Sequence, residues 1–153
     1  MRVALAADHA GVTLKTEIAR LLETRGLEYR DFGTNTADSV DYPDYAEAVG
    51  RGVASGEFDR GILICGTGIG MAMAANKIDG VRAAPVVSSD TAQLAREHND
   101  ANVIALGARF TSQDVALHIV ETFLDTAFLG GRHARRVEKV AALEGHATGA
   151  SRS

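Results

Sequence analysis

The stretch Gly61-Ile62-Leu63-Ile64-Cys65-Gly66-Thr67-Gly68-Ile69-Gly70 decides how this chain is read: an apolar run ends at its only cysteine and enters a turn of alternating glycines. Residues 62–64 read as a buried strand, and 71–77 as the continuation of a helix. A thiol at that junction lies near the positive end of a helix dipole, which favours the thiolate. Free cysteine is equally at home as a small buried apolar residue at a strand end. Position alone therefore leaves both readings open. Gly66, Gly68 and Gly70 with Thr67 can turn their peptide N–H groups inward as an anion nest. A plain tight turn needs only one or two glycines. The loop is not a P-loop, since no Gly-Lys-Ser/Thr follows. As a dinucleotide fingerprint it carries Met71 at the third glycine position and follows the third strand, not the first.

Working outward, strands and helices alternate. Apolar runs at 3–7, 29–32, 61–64, 81–87 and 102–106 read as five short strands. Leu14, Ile18, Leu21 and Leu22 mark a helix over 12–24 that Gly26 stops. Pro43 suits the first turn of the next helix, which buries Tyr45, Ala46 and Val49 and ends by Gly56. Ser88-Ser89-Asp90 caps a helix over 91–97, and Thr111 or Ser112 caps one that aligns Val115, Ile119, Val120 and Phe123. A last helix spans about 133–143. Five buried strands separated by helices predict a parallel sheet covered on both faces. The expected fold is an α/β doubly wound three-layer sandwich, Rossmann-like, with strand order 2-1-3-4-5. Residues 1–144 are expected to form a single domain and 145–153 a disordered tail. Ligands of such sheets bind beyond the carboxyl ends of the strands, where Asp8-His9, residues 65–70 and Ser88-Ser89-Asp90 all fall.

The bulk properties narrow the function classes. The chain has 153 residues, 46% hydrophobic and 24% charged, with a formal charge of −4. That balance speaks against non-specific nucleic-acid binding. A single cysteine fits a reducing cytoplasm. The apolar start at 3–7 is too short for a signal peptide and is interrupted by Asp8, and no run approaches membrane length. The expectation is a cytoplasmic protein without membrane or nucleic-acid partners.

Several residues carry potential chemistry. Asp8-His9 reads either as a hydrogen-bonded acid–base pair or as a helix cap beside an exposed imidazole. His98-Asn99, at the end of the helix before the fifth strand, is equally open, because a histidine there suits the dipole. None of the histidines, the cysteine or the aspartates shows zinc-ligand spacing, so no metal is expected. In Gly130-Gly131-Arg132-His133-Ala134-Arg135-Arg136, the i, i+4 pair Arg132 and Arg136 shares a face. Two cations at a helix start oppose the macrodipole, whereas a phosphate between the two guanidiniums would account for them. A solvated surface run is the alternative. Arg109 is a further phosphate candidate.

Together these residues make the chain similar to the sugar-phosphate isomerase family that contains type B ribose-5-phosphate isomerase and the galactose-6-phosphate isomerase subunits. The resemblance runs through Asp8-His9-Ala10-Gly11, Asp41-Tyr42-Pro43-Asp44-Tyr45-Ala46 and Cys65-Gly66-Thr67-Gly68-Ile69-Gly70. It continues in Ala74-Ala75-Asn76-Lys77, Arg96-Glu97-His98-Asn99-Asp100-Ala101-Asn102 and Gly131-Arg132-His133-Ala134-Arg135-Arg136-Val137. It implies that Cys65 moves the proton between C2 and C1 and that His98 helps open the sugar ring. Asp8 and Thr67 would assist protons on the sugar oxygens, and the amides of Gly66, Gly68, Ile69 and Gly70 would hold the enediolate. His9, Arg132 and Arg136 would hold the phosphate, Asn99 and Arg109 would add substrate contacts, and Tyr42 would wall the pocket. Some relatives place a glutamate just after the glycine loop. Met71 stands there, so the chain resembles the cysteine type. No cofactor is implied. The implied partners are a phosphorylated sugar, ribose 5-phosphate with ribulose 5-phosphate, and further copies of the chain as a homodimer or homotetramer with sites between subunits. Galactose 6-phosphate, allose 6-phosphate and a tetrulose 4-phosphate are alternative substrates, and a nucleotide-binding regulatory module is the alternative from another class.

Overall fold

The computed structural model describes residues 1–145, so the tail expected at 145–153 lies outside the described residues from 146 onward. The chain runs β1 (Arg2–Ala7), a 3-10 turn (His9–Gly11), α1 (Val12–Thr24), β2 (Glu28–Asp31), α2 (Tyr42–Ala54), β3 (Arg60–Cys65) and α3 (Ile69–Ala75). It continues through β4 (Ala83–Pro85), α4 (Ser89–Asn99), β5 (Val103–Gly107), α5 (Gln113–Asp125) and α6 (Arg132–Ala141). All strand pairs are parallel. Among the described residues no helix is long and apolar enough to cross a membrane.

Past Arg2 and Arg60 at their starts, the three central strands are apolar and buried because both faces of the sheet are covered. Alternate residues serve opposite layers. Val3, Leu5, Ile62, Ile64, Ile104 and Leu106 pack with Ile18 and Leu22 of α1 and with Ile119 and Phe123 of α5. Ala4, Ala6, Leu63, Cys65, Val103 and Ala105 face Ala46 and Val49 of α2 and Met71, Ala72 and Ala75 of α3. The second face is built on small side chains, and there the glycine loop enters α3.

The sheet order is β2-β1-β3-β5-β4, which corrects the expected 2-1-3-4-5. The reason lies in the two strands. All five residues of β5 are buried, as the interior of a sheet requires. The strand expected over 81–87 shrinks to three residues, the partly covered Ala83 and Ala84 and the exposed Pro85. Proline has no N–H for a ladder and belongs at an edge. Beyond that edge, the Asn76 side chain takes the place of another strand. Its Nδ2 donates to the Ala83 carbonyl and its Oδ1 accepts from the Ala83 N–H, both at 2.8 Å.

Replacing Asn76 with Ala should therefore speed hydrogen exchange at the Ala83 amide and cost about 1–3 kcal/mol in urea unfolding. Unchanged protection at Ala83 would mean that this edge is held by something else.

Candidate active site

Register brings the strand ends level. Ala7 pairs with Ile64, and Cys65 with Gly107. Their loops enclose a cleft of about 450 Å³ lined by Asp8, His9, Tyr42, Cys65, Gly66 and Thr67 together with Ile69, Gly70 and Arg109. Cys65 is 5% exposed, and its sulfur accepts the Gly68 N–H at 3.1 Å. A thiolate accepts such a bond more strongly than a thiol. This contact depends on Gly68 itself, whose φ of 80° no side chain adopts readily. Thr67 Oγ1 accepts the Ile69 N–H at 3.2 Å, which fixes the oxygen and leaves the hydroxyl proton to donate. Two amides of the expected anion nest are thus already engaged by the loop's own side chains. Arg109 is tied to the loop by its N–H, which donates to the Gly66 carbonyl at 3.0 Å. Tyr42 stands against Gly70 so closely that a Cβ there would lie 2.6 Å from the ring.

The two readings of Asp8-His9 are separated by the contacts. Asp8 caps the 3-10 turn, its Oδ1 accepting the Ala10 N–H at 2.9 Å. It is 7% exposed and still borders the cleft. His9 takes its own partner, accepting the Val40 N–H on Nδ1 at 3.2 Å. Ser88 serves as a helix cap, exchanging hydrogen bonds with Thr91, and does not line the cleft.

The remaining candidates gather elsewhere. His98, Asn99 and Arg136 line a second groove of about 940 Å³ along the outer edge of β4, and Arg132 begins the helix α6 that borders it. Arg132 and Arg136 stand one turn apart on α6, the expected i, i+4 relation. The separation follows from topology. Helix α4 starts after the carboxyl end of β4 and carries His98 back toward the amino ends of the strands, about 15 Å along its axis. The candidate site residues thus form two groups within one chain.

Two residues at these sites had no assigned role. Met73, one turn into α3, borders the cleft with 65% of its surface exposed. His133 stacks on His98, ring centroids 4.2 Å apart and planes 12° from parallel. The sequence signal for His133 is its place inside the basic run Arg132-His133-Ala134-Arg135-Arg136.

The profile of the Ribose/Galactose Isomerase family matches residues 3–140. The chain belongs to that family. Among its relatives, ribose-5-phosphate isomerase B of Escherichia coli is 47% identical over 143 residues, covering 94% of this chain and 96% of that protein. The solved structure of ribose-5-phosphate isomerase B from Clostridium thermocellum superposes with a TM-score of 0.93 at 53% identity, covering 94% of this chain and 97% of that one. The Mycoplasma genitalium ribose-5-phosphate isomerase B, solved with bound ribulose 5-phosphate, gives a TM-score of 0.92 at 46% identity, covering 95% and 97%. The doubly wound α/β architecture is thus that of the family, with the edge order found here.

Within this family member, burial holds the His133 imidazole below the usual histidine range, and the neighbouring His98, Arg132 and Arg136 push it the same way, with Glu97 opposing. The unfolded chain then binds the extra proton more readily as pH falls through about 6.5, so stability declines on the acid side. Thermal midpoints should fall from pH 7.5 to pH 5.5, and His133→Asn should flatten part of that fall. An identical slope in the variant would remove His133 from the acid sensitivity.

Proposed function

We propose that this chain interconverts ribose 5-phosphate and ribulose 5-phosphate through an enediolate, in the cytoplasm, as a homodimer or homotetramer whose sites are shared between copies. The observation that carries this reading is the buried Cys65 sulfur, held by the Gly68 amide in a cleft with Asp8, His9 and Thr67. Cys65 is the base that removes the proton from C2 of the open-chain aldose. The electron pair passes through the C1–C2 bond to the carbonyl oxygen, and the loop amides other than Gly68 and Ile69, with the Thr67 hydroxyl, stabilise the charge formed there. As the O2 proton passes to O1 and the C2 carbonyl forms, returning the carbon proton to C1 completes the ketose. Asp8, engaged as a cap yet bordering the cleft, assists proton movement on the sugar oxygens. Tyr42, wedged against Gly70, bounds the sugar.

Remote phosphate binding would orient the reacting carbons without entering the chemistry. His9 and Arg109 lie in the Cys65 cleft, whereas Arg136 lines the groove that also holds His98 and Asn99. Within one chain these groups line separate surfaces. A second copy, seating its groove over the cleft, supplies His98 for ring opening and Asn99, Arg132 and Arg136 for the substrate. The relatives named as ribose-5-phosphate isomerase B, one of them holding ribulose 5-phosphate, support the choice of substrate.

Cys65→Ala should lower isomerase turnover by at least about 100-fold with unchanged circular dichroism. Near-wild-type turnover in a folded variant would remove Cys65 from the chemistry. Shared sites predict complementation: Cys65→Ala and Arg136→Ala chains, each inactive, should recover about a quarter of wild-type activity when dissociated and reassembled together, because half the dimers are hybrids with one intact site. Absence of recovery in verified hybrids would place both residues in one chain's site.

A further inference from the structure

The connection from β2 to α2, residues 32–41, crosses the end of β1 and leads into Tyr42, which lines the cleft. At its start the Gly33 N–H donates to Asp31 Oδ1 at 2.8 Å, and the Thr34 N–H donates to the Ala7 carbonyl at 2.7 Å. At its far end the Val40 N–H reaches His9 Nδ1. The middle is tied from beneath by an ammonium group: Lys15 Nζ donates to Asn35 Oδ1 at 2.7 Å and pairs with the Asp31 carboxylate. Lys15 lies on α1 among Leu14, Ile18 and Leu22, and its side chain is 2% exposed. Burying an ammonium is costly even when paired, and an apolar side chain of similar volume at such a place is often neutral or stabilising. Packing alone does not account for lysine here.

We propose that Lys15 is a positioning residue for substrate binding, acting through this strap on His9. The inference rests on the sugar-phosphate reading of the cleft. By holding Asp31 and Asn35 together, Lys15 fixes the path of the strap so that the Val40 N–H meets Nδ1 of His9. A ring accepting on Nδ1 carries its proton on Nε2, so His9 is held in one tautomer and offers the cleft an N–H donor. The same strap leads directly into Tyr42, which stands against Gly70. Lys15 does not line the cleft, so its loss should weaken binding and leave proton transfer at Cys65 nearly intact.

Two variants test this. Lys15→Met removes the ammonium while keeping the volume. Asn35→Ala cuts only the exposed tether and leaves the Lys15–Asp31 pair in place. Each should raise KM for ribose 5-phosphate about tenfold, with kcat within about twofold. Nitrogen-15 spectra should show His9 with a bare Nδ1 and a protonated Nε2 in the wild type, and a mixture of tautomers in the variants. If Lys15→Met does not fold, Asn35→Ala decides. Folded variants that lose thermal stability but keep both KM and the His9 tautomer would overturn the proposal, because Lys15 would then be structural only. A wild type inactive on every sugar phosphate would instead defeat the isomerase reading, and the His9 spectra would still judge the role of Lys15.

Discussion

The parallel pairing of β3 between β1 and β5 is the constraint on which the site depends. Ala7 opposite Ile64 and Cys65 opposite Gly107 bring three strand ends to one level. Because the pairing is buried on both faces, a one-residue slip would exchange the residues of the two core layers and move Cys65 to the wrong side. The same register brings Gly107 against Thr67, where a Cβ would lie 2.6 Å from the Thr67 carbonyl oxygen. Loop and sheet are therefore positioned as one unit, and the cleft inherits the rigidity of the core.

Around that unit the cleft is assembled by backbone contacts. The Cys65 sulfur is oriented by the Gly68 amide, Asp8 by the Ala10 amide, and His9 by the Val40 amide. Such contacts need close approach, which explains the small side chains of the α2–α3 layer: Ala46 and Ala72 are nearly or wholly buried. The strap over 32–41 extends the scheme, since its own anchor is a charged pair beneath the surface. A preorganised arrangement of this kind lowers the cost of ordering groups when substrate binds.

The alternation of sheet and helix also sets a limit. A helix that returns from a strand end carries its last turn to the opposite end of the sheet, so His98 and Asn99 are delivered far from Cys65 by the topology that makes the fold stable. The groove they line is flanked by exposed Val140 and Leu143, and the cleft by exposed Ile69 and Met73. In the proposed assembly these apolar surfaces and the two groups of polar residues would be joined by a second copy, with the β4 edge between them.

The amino-acid pattern alone determined the strand and helix count and the parallel sheet, and it set Asp8, His9, Cys65 and Thr67 at the carboxyl ends of strands while leaving their roles open. Period and glycine spacing are local properties, and a parallel α/β sheet gathers strand-end loops on one side. Pro85, without an N–H for the ladder, is the local feature that puts β4 at the edge and reverses the expected β4–β5 order. Tertiary structure decided what depends on groups distant in the chain. It showed Asp8 as a cap rather than a partner of His9, His133 stacked on His98, and His98 and Arg136 in a separate groove. It also buried Lys15 under the strap, where a helical wheel shows only a cation beside Leu14. Those outcomes were fixed by the return direction of α4, the packing of α6 and the crossing of residues 32–41. Each joins residues that local spacing keeps apart.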